Sequence, residues 1–169
     1  MTSRAFPIIV ASLCLPLHPA VAETAAPEPP RLENFSADPA WLIDYAGALK
    51  QAAAEHKAVL LDFTGSDWCI WCHRLHDEIL VQQPFLDYAR AHLVLLELDF
   101  PRAKPQSAGE KRQNAELAEK FGVTGYPTII LIDEKGRELG RTGYMQGGAK
   151  TFVRELKRFA AKAKVTPGG

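Results

Sequence analysis

The sequence predicts an α/β protein, a three-layer α/β/α sandwich around a mixed central sheet. Two apolar runs of strand length, residues 58–63 and 93–98, are separated by stretches with helical periodicity, and strands joined through helices pair in parallel. A third apolar run, 128–132, is followed by the turn signal Asp133-Glu134-Lys135-Gly136 and a more polar run, 137–142. That pair reads as an antiparallel hairpin. At 169 residues the chain suits one domain with a full core.

Arg4, the apolar stretch from Phe6 to Leu17 and the small-x-small site Ala20-Val21-Ala22 make residues 1–22 a secretory signal peptide; the apolar part is too short to span a bilayer. Cys14 leaves with it, so a mature chain would keep two of three cysteines and no membrane span. Residues 23–35, with Pro27, Pro29 and Pro30, form an extended tether. The folded domain is expected over 36–165, and 166–169 is a frayed tail.

Asp38-Pro39 offers an N-cap and a proline at the first helical position. Trp41, Leu42, Tyr45, Leu49 and Ala53 follow at helical spacing. The run 58–63 is apolar enough for a strand covered on both faces. A helix is expected over 73–80, and Pro84 starts another with Phe85, Leu86, Tyr88 and Ala89 inward. After the strand at 93–98, Pro101 and Pro105 mark a loop. Ser107-Ala108-Gly109-Glu110 then has capping-box form, ahead of a charged helix that buries Leu117 and Phe121. The last helix places Phe152, Val153, Leu156, Phe159 and Ala160 on one face.

The chemistry concentrates in Thr64-Gly65-Ser66-Asp67-Trp68-Cys69-Ile70-Trp71-Cys72-His73-Arg74. A strand enters this stretch and a helix leaves it, which puts Cys69 at a helix start and Cys72 one turn further in. The free N–H groups of a helix start favour thiolate over thiol. A Cys-x-x-Cys pair in that setting is a candidate redox centre. Formal charge is balanced, with 20 basic and 20 acidic residues, which argues against nucleic acid as a partner. Three cysteines are too few for a disulfide-dense scaffold.

These residues resemble the thioredoxin superfamily. The resemblance rests, in order, on the strand ending Leu61-Asp62-Phe63, the centre Trp68-Cys69-Ile70-Trp71-Cys72, and Tyr126-Pro127-Thr128 opening a later strand. It covers about residues 41–161 and is most like exported thioredoxin-like proteins with a Phe-Thr-Gly-Ser-Asp-Trp-Cys-x-x-Cys centre. The resemblance implies a cis Tyr126–Pro127 bond facing the dithiol, and catalytic roles for Cys69, Cys72, Pro127 and the buried acid Asp62. Trp68, Trp71, Tyr126 and Thr128 are the implied substrate-contact residues. Asp62 lies one residue further from Cys69 than in ordinary thioredoxin, and Leu95 stands where the family often has lysine. Asp62 therefore reads either as a proton shuttle or as a structural acid, with Glu97 a substitute if it points inward.

The activity so implied is thiol–disulfide exchange, with no cofactor beyond the Cys69–Cys72 pair. The uncharged Ile70-Trp71 between the cysteines favours a protein-disulfide reductase over an oxidase or isomerase, since a strong oxidant needs an unusually stabilised thiolate. Partners would be disulfide-bearing proteins and a membrane electron donor, in the periplasm of a bacterial source, with the protein a monomer. Rival readings use the same residues. Cys69-Ile70-Trp71-Cys72-His73 also satisfies the attachment pattern of c-type haem, with His73 axial and Met145 or His76 opposite. Cys69, Cys72, His73 and His76 share a helix face and could bind copper. A non-catalytic binding module is the third, opposed by the intact dithiol.

Overall fold

The computed structural model describes residues 39–165, with side chains to Ala161. The expected signal peptide, tether, Asp38 cap and 166–169 tail lie outside the described residues.

Five strands form one sheet in the order β1-β3-β2-β4-β5. β1 is Trp41–Leu42, β2 Ala58–Thr64, β3 Leu93–Asp99, β4 Thr128–Ile132 and β5 Glu138–Thr142. The helices are α1 (Tyr45–Glu55), α2 (Ile70–Leu75), α3 (Gln83–His92), α4 (Ala108–Lys120) and α5 (Gly148–Val165). α2 continues through a π-helical turn, His76–Leu80, in which the Val81 N–H donates to the His76 carbonyl.

Strand alternation sorts the core into two layers. Leu60, Leu93, Leu95, Ile129 and Leu131 face Leu75, Ile79, Phe85, Phe152 and Leu156, which come from α2, its π turn, α3 and α5. On the other side Val59, Leu61, Phe63, Leu96, Leu98 and Ile130 face Ala48, Ala52, Leu117 and Phe121, from α1 and α4. The α/β sandwich with a mixed sheet is thus observed.

Two local expectations are corrected. The first helix does not begin after Asp38. Trp41 and Leu42 instead pair in parallel with Leu95 and Leu96 as a short edge strand. Asp44 is the real cap, its carboxylate accepting from the Gly47 N–H at 2.7 Å. The buried positions become Ala48 and Ala52 rather than Leu49 and Ala53, since a helix started later presents a different face. The short aromatic–aliphatic pair looked helical because its spacing to Tyr45 fits both periods.

The second correction concerns strand direction. β2 and β3 are parallel as expected, but β4 runs antiparallel to β2, with Thr128 opposite Phe63. β3 ends with Asp99 beside Thr64, so the segment through α4 brings the chain back to the end of the sheet it left. A crossover of that kind reverses the next strand. Both strand ends meet at the site described below.

The Ser107 hydroxyl accepts from the Glu110 N–H at 3.1 Å as the N-cap of α4, and Leu117 and Phe121 are buried. The β4–β5 hairpin forms, its turn closed by Asp133, which accepts from the Lys135 and Arg137 N–H groups.

Candidate active site

Thr64 ends β2, and Gly65 to Cys69 turn the chain into α2. Cys69 is the N-cap of α2, in extended backbone, and its Sγ accepts from the Cys72 N–H at 3.2 Å. Cys69 and Cys72 are joined as a disulfide, with Cα atoms 5.2 Å apart. Both are nearly covered, at 4% and 5% exposure. Between them in the chain stand the exposed Ile70 and Trp71. The Trp71 ring lies 5.4 Å from Tyr144, whose hydroxyl donates to Glu78 at 2.6 Å, and the Arg74 guanidinium sits 5.0 Å from the Trp71 centroid.

Trp68 is placed differently. Its Nε1 donates to the Phe100 carbonyl at 2.9 Å, its ring meets Tyr126 edge-on at 5.8 Å, and Arg102 covers it at 3.9 Å. The indole also lies against Gly65, where an added Cβ would sit 2.5 Å from its Cε2. Substituting Gly65→Ala is therefore expected to displace the indole. The overpacking cost is about 1–3 kcal/mol, read as a lower denaturation midpoint together with changed Trp fluorescence.

The Tyr126–Pro127 peptide bond is cis, as the resemblance implied. Thr128 Oγ1 donates to the Gly125 carbonyl at 2.7 Å, and Gly143 is close enough to the Pro127 carbonyl that a Cβ would sit 2.9 Å from it. Tyr126 and Pro127 are half-buried, and the Tyr126 ring packs against Trp68, which precedes Cys69.

Beneath Cys72 a cleft of about 580 Å³ is lined by Asp62, Thr64, Ser66, Glu97, Asp99 and Lys104, with His73, His76 and Asp77 also bordering it. Asp62 is 6% exposed, and its Oδ1 has no hydrogen-bond partner among the described residues. Burial, with the charges of Glu97 and Asp99 adding to it, pushes the Asp62 carboxyl up to about 8. Glu97 does point inward: it is paired across from Asp62 in the β2–β3 register. Burial and then the Asp99 charge raise its pKa as well.

Several site residues escaped the sequence reading. Asp67 accepts from the N–H groups of Arg102, Ala103 and Lys104 at 2.7–3.1 Å, and these bonds hold its carboxyl below the usual range. Asp99 accepts from the Ser66 N–H and hydroxyl at 2.8 and 2.5 Å, and Lys104 Nζ donates to Ser66 Oγ at 2.9 Å. The loop after β3 is thereby latched to the turn that carries the cysteines. Asp67, a short polar side chain in a Gly-Ser-Asp turn, was the available signal, because such residues bond nearby backbone N–H groups; its partners, 35 to 37 residues away, were not legible. Tyr144 had no local signal at all.

Cys69, Cys72, His73 and His76 share a helix face but do not converge. The sulfurs are bonded to each other, His73 Nε2 donates to the Ser66 carbonyl at 2.9 Å, and His76 Nδ1 meets Asp77 at 2.8 Å.

The profile of the thioredoxin-like domain family matches residues 45–160. The chain is 40% identical over 113 residues to a disulfide bond reductase, DsbH, of Chlamydia pneumoniae, covering 67% of this chain and 68% of that protein. It is 32% identical over 112 residues to the thiol:disulfide interchange protein DsbD of Actinobacillus pleuropneumoniae, covering 64% of this chain but only 17% of that longer protein. Among solved structures, a DsbH oxidoreductase superposes with TM-score 0.69 at 38% identity, over 73% of this chain and 85% of the other. A thioredoxin from Thermus thermophilus superposes with TM-score 0.57 at 22% identity, over 75% and 90%, a likeness of fold. With a bonded Cys-x-x-Cys pair at a strand-to-helix turn and a cis proline opening the adjacent strand, the chain belongs to the thioredoxin-like domain family and is a thiol–disulfide oxidoreductase.

Proposed function

We propose that the protein is exported and works as a protein-disulfide reductase in the periplasm. The observation that carries the exchange chemistry is the Cys69–Cys72 disulfide at the start of α2, nearly covered and next to the exposed Ile70 and Trp71. In the reduced protein the Cys69 thiolate attacks one sulfur of a substrate disulfide. That bond breaks, its other sulfur leaves as a thiolate that takes a proton from water, and Cys69 is left in a mixed disulfide. The Cys72 thiol then gives its proton to Asp62, and its sulfur attacks Cys69 Sγ. The second substrate sulfur leaves and is protonated, so two electrons and two protons have passed to the substrate. Ile70 and Trp71 form the apolar contact for the client chain, with Tyr126, Pro127 and Thr128 on the other side of the dithiol. Trp68 supports the centre through the contacts that clamp its ring.

The direction is supported by the uncharged Ile70-Trp71 pair and by an acidic cleft under Cys72, neither of which stabilises a thiolate as a strong oxidant requires. The likeness to proteins named reductase and interchange protein points the same way. In an oxidising compartment such a centre is recharged by a membrane donor. Equilibrating the domain in thiol buffers of defined potential, with alkylation and intact mass as readout, is expected to show a two-thiol transition near or below about −220 mV. A transition near about −120 mV would reverse the assigned electron flow.

A further inference from the structure

The resolving step needs a base of unusual strength. A free thiol releases its proton near about 8.5, whereas an ordinary aspartate holds one only below about 3.9. Transfer from Cys72 to such a carboxylate would be uphill by roughly four to five powers of ten. On β3, Leu95 lies opposite Leu60, inside the apolar layer, and brings no charge to the buried acid. What stands beside Asp62 instead is Glu97, its direct neighbour in the parallel β2–β3 register. Adjacent strands lie about 4.8 Å apart, and both side chains line the same cleft as Cys72. Asp62 Oδ1 is buried there without a partner.

We propose that Glu97 is a positioning residue for the resolving step: its carboxylate, beside Asp62 in the cleft under Cys72, adds to the burial of Asp62 in making it a base strong enough to take the thiol proton. This rests on Asp62 being the acceptor proposed above. The surroundings of Glu97 fit the role. Asp99 on its own strand and Glu110 from α4 add negative charge, while Lys104 from the loop and His76 from the π turn oppose it. Asp62 faces it from β2, and His73, Cys72 and Asp77 complete the charged or titratable groups around the cleft. The raised proton affinity of Asp62, to which the Glu97 charge contributes, agrees with the placement. The proton taken from Cys72 leaves by the open side of the cleft, where His76 and Asp77 are exposed, once the disulfide has formed.

The test separates the two thiols. Reduced protein reacts with the chromogenic disulfide dithiobis(nitrobenzoate) in two phases. Cys69 releases the first thionitrobenzoate, and Cys72, on resolving the mixed disulfide, releases the second. The rate of the second phase is followed from pH 5 to 10 in wild type, Glu97→Gln, Glu97→Asp and Asp62→Asn. In Glu97→Gln the midpoint of that profile is expected to fall by about one unit, as loss of a like charge at this separation requires. Glu97→Asp keeps the wild-type midpoint, and the first phase is unchanged in both Glu97 variants. A wild-type midpoint in Glu97→Gln, alongside a slowed second phase in Asp62→Asn, overturns the role of Glu97 alone. A wild-type second phase in Asp62→Asn overturns the acceptor reading and this inference with it.

Discussion

Replacing Cys69 by serine is expected to abolish disulfide reduction, by about three orders of magnitude or more, the scale of losing a nucleophile from a unit that acts together. Serine cannot form the mixed disulfide, and Cys72, a turn inside α2 rather than at its N-cap, is in no position to replace it. Replacing Cys72 by serine should have a different signature. Cys69 still attacks, but nothing resolves the product, so the client stays covalently attached and turnover stops after one event. Intact mass after mixing with a disulfide-bearing protein distinguishes the two: no adduct for Cys69→Ser, and a stoichiometric, dithiothreitol-sensitive adduct for Cys72→Ser. Turnover retained in Cys69→Ser would remove the nucleophile assignment.

The second large effect is on stability. The Asp62 carboxyl sits at about 8 in the folded chain and at about 3.9 when unfolded. Between those values the folded state holds a proton that the unfolded state has released. The stabilisation is therefore complete below about pH 4 and is lost as pH rises toward 8, with a limiting slope of about 1.4 kcal/mol per unit. The full interval would give about 6 kcal/mol. The cleft opens to water on one side, so a loss of about 2–4 kcal/mol between pH 5 and 8 is expected. Glu97, also raised by burial, acts with the same sign. Urea denaturation of the oxidised protein, in which neither cysteine titrates, measures this. In Asp62→Asn the slope should flatten, leaving the variant more stable than wild type at pH 8 though the Asn amide gains no designed partner. A slope undiminished in Asp62→Asn would assign it to another group.

Most of the architecture was legible because each strand and helix carried its own signal. Residues 58–63 and 93–98 are too apolar for any surface element, Ser107 and Glu110 announced α4, and the Asp133–Gly136 turn announced the hairpin. What was not legible depended on distant partners. Trp41 and Leu42 are a strand only because Leu95 and Leu96 offer a free edge. β4 is antiparallel because of where α4 delivers it, which no local pattern encodes. The same division holds at the site. Cys69, Cys72 and the cis Pro127 stand in a spaced motif, whereas the inward face of Glu97 depends on a register with β2, and the Asp67 latch on a loop more than thirty residues on.

The pairing of β2 with β4 also decides when the site comes into being as the chain folds. The dithiol is local, a strand end and the first turn of a helix. The proline side arrives only when Thr128 finds Phe63, a contact that must close a long loop before it is rewarded. A chain caught before that pairing already carries the two cysteines in their turn, yet lacks the strand that brings the cis proline to this end of the sheet.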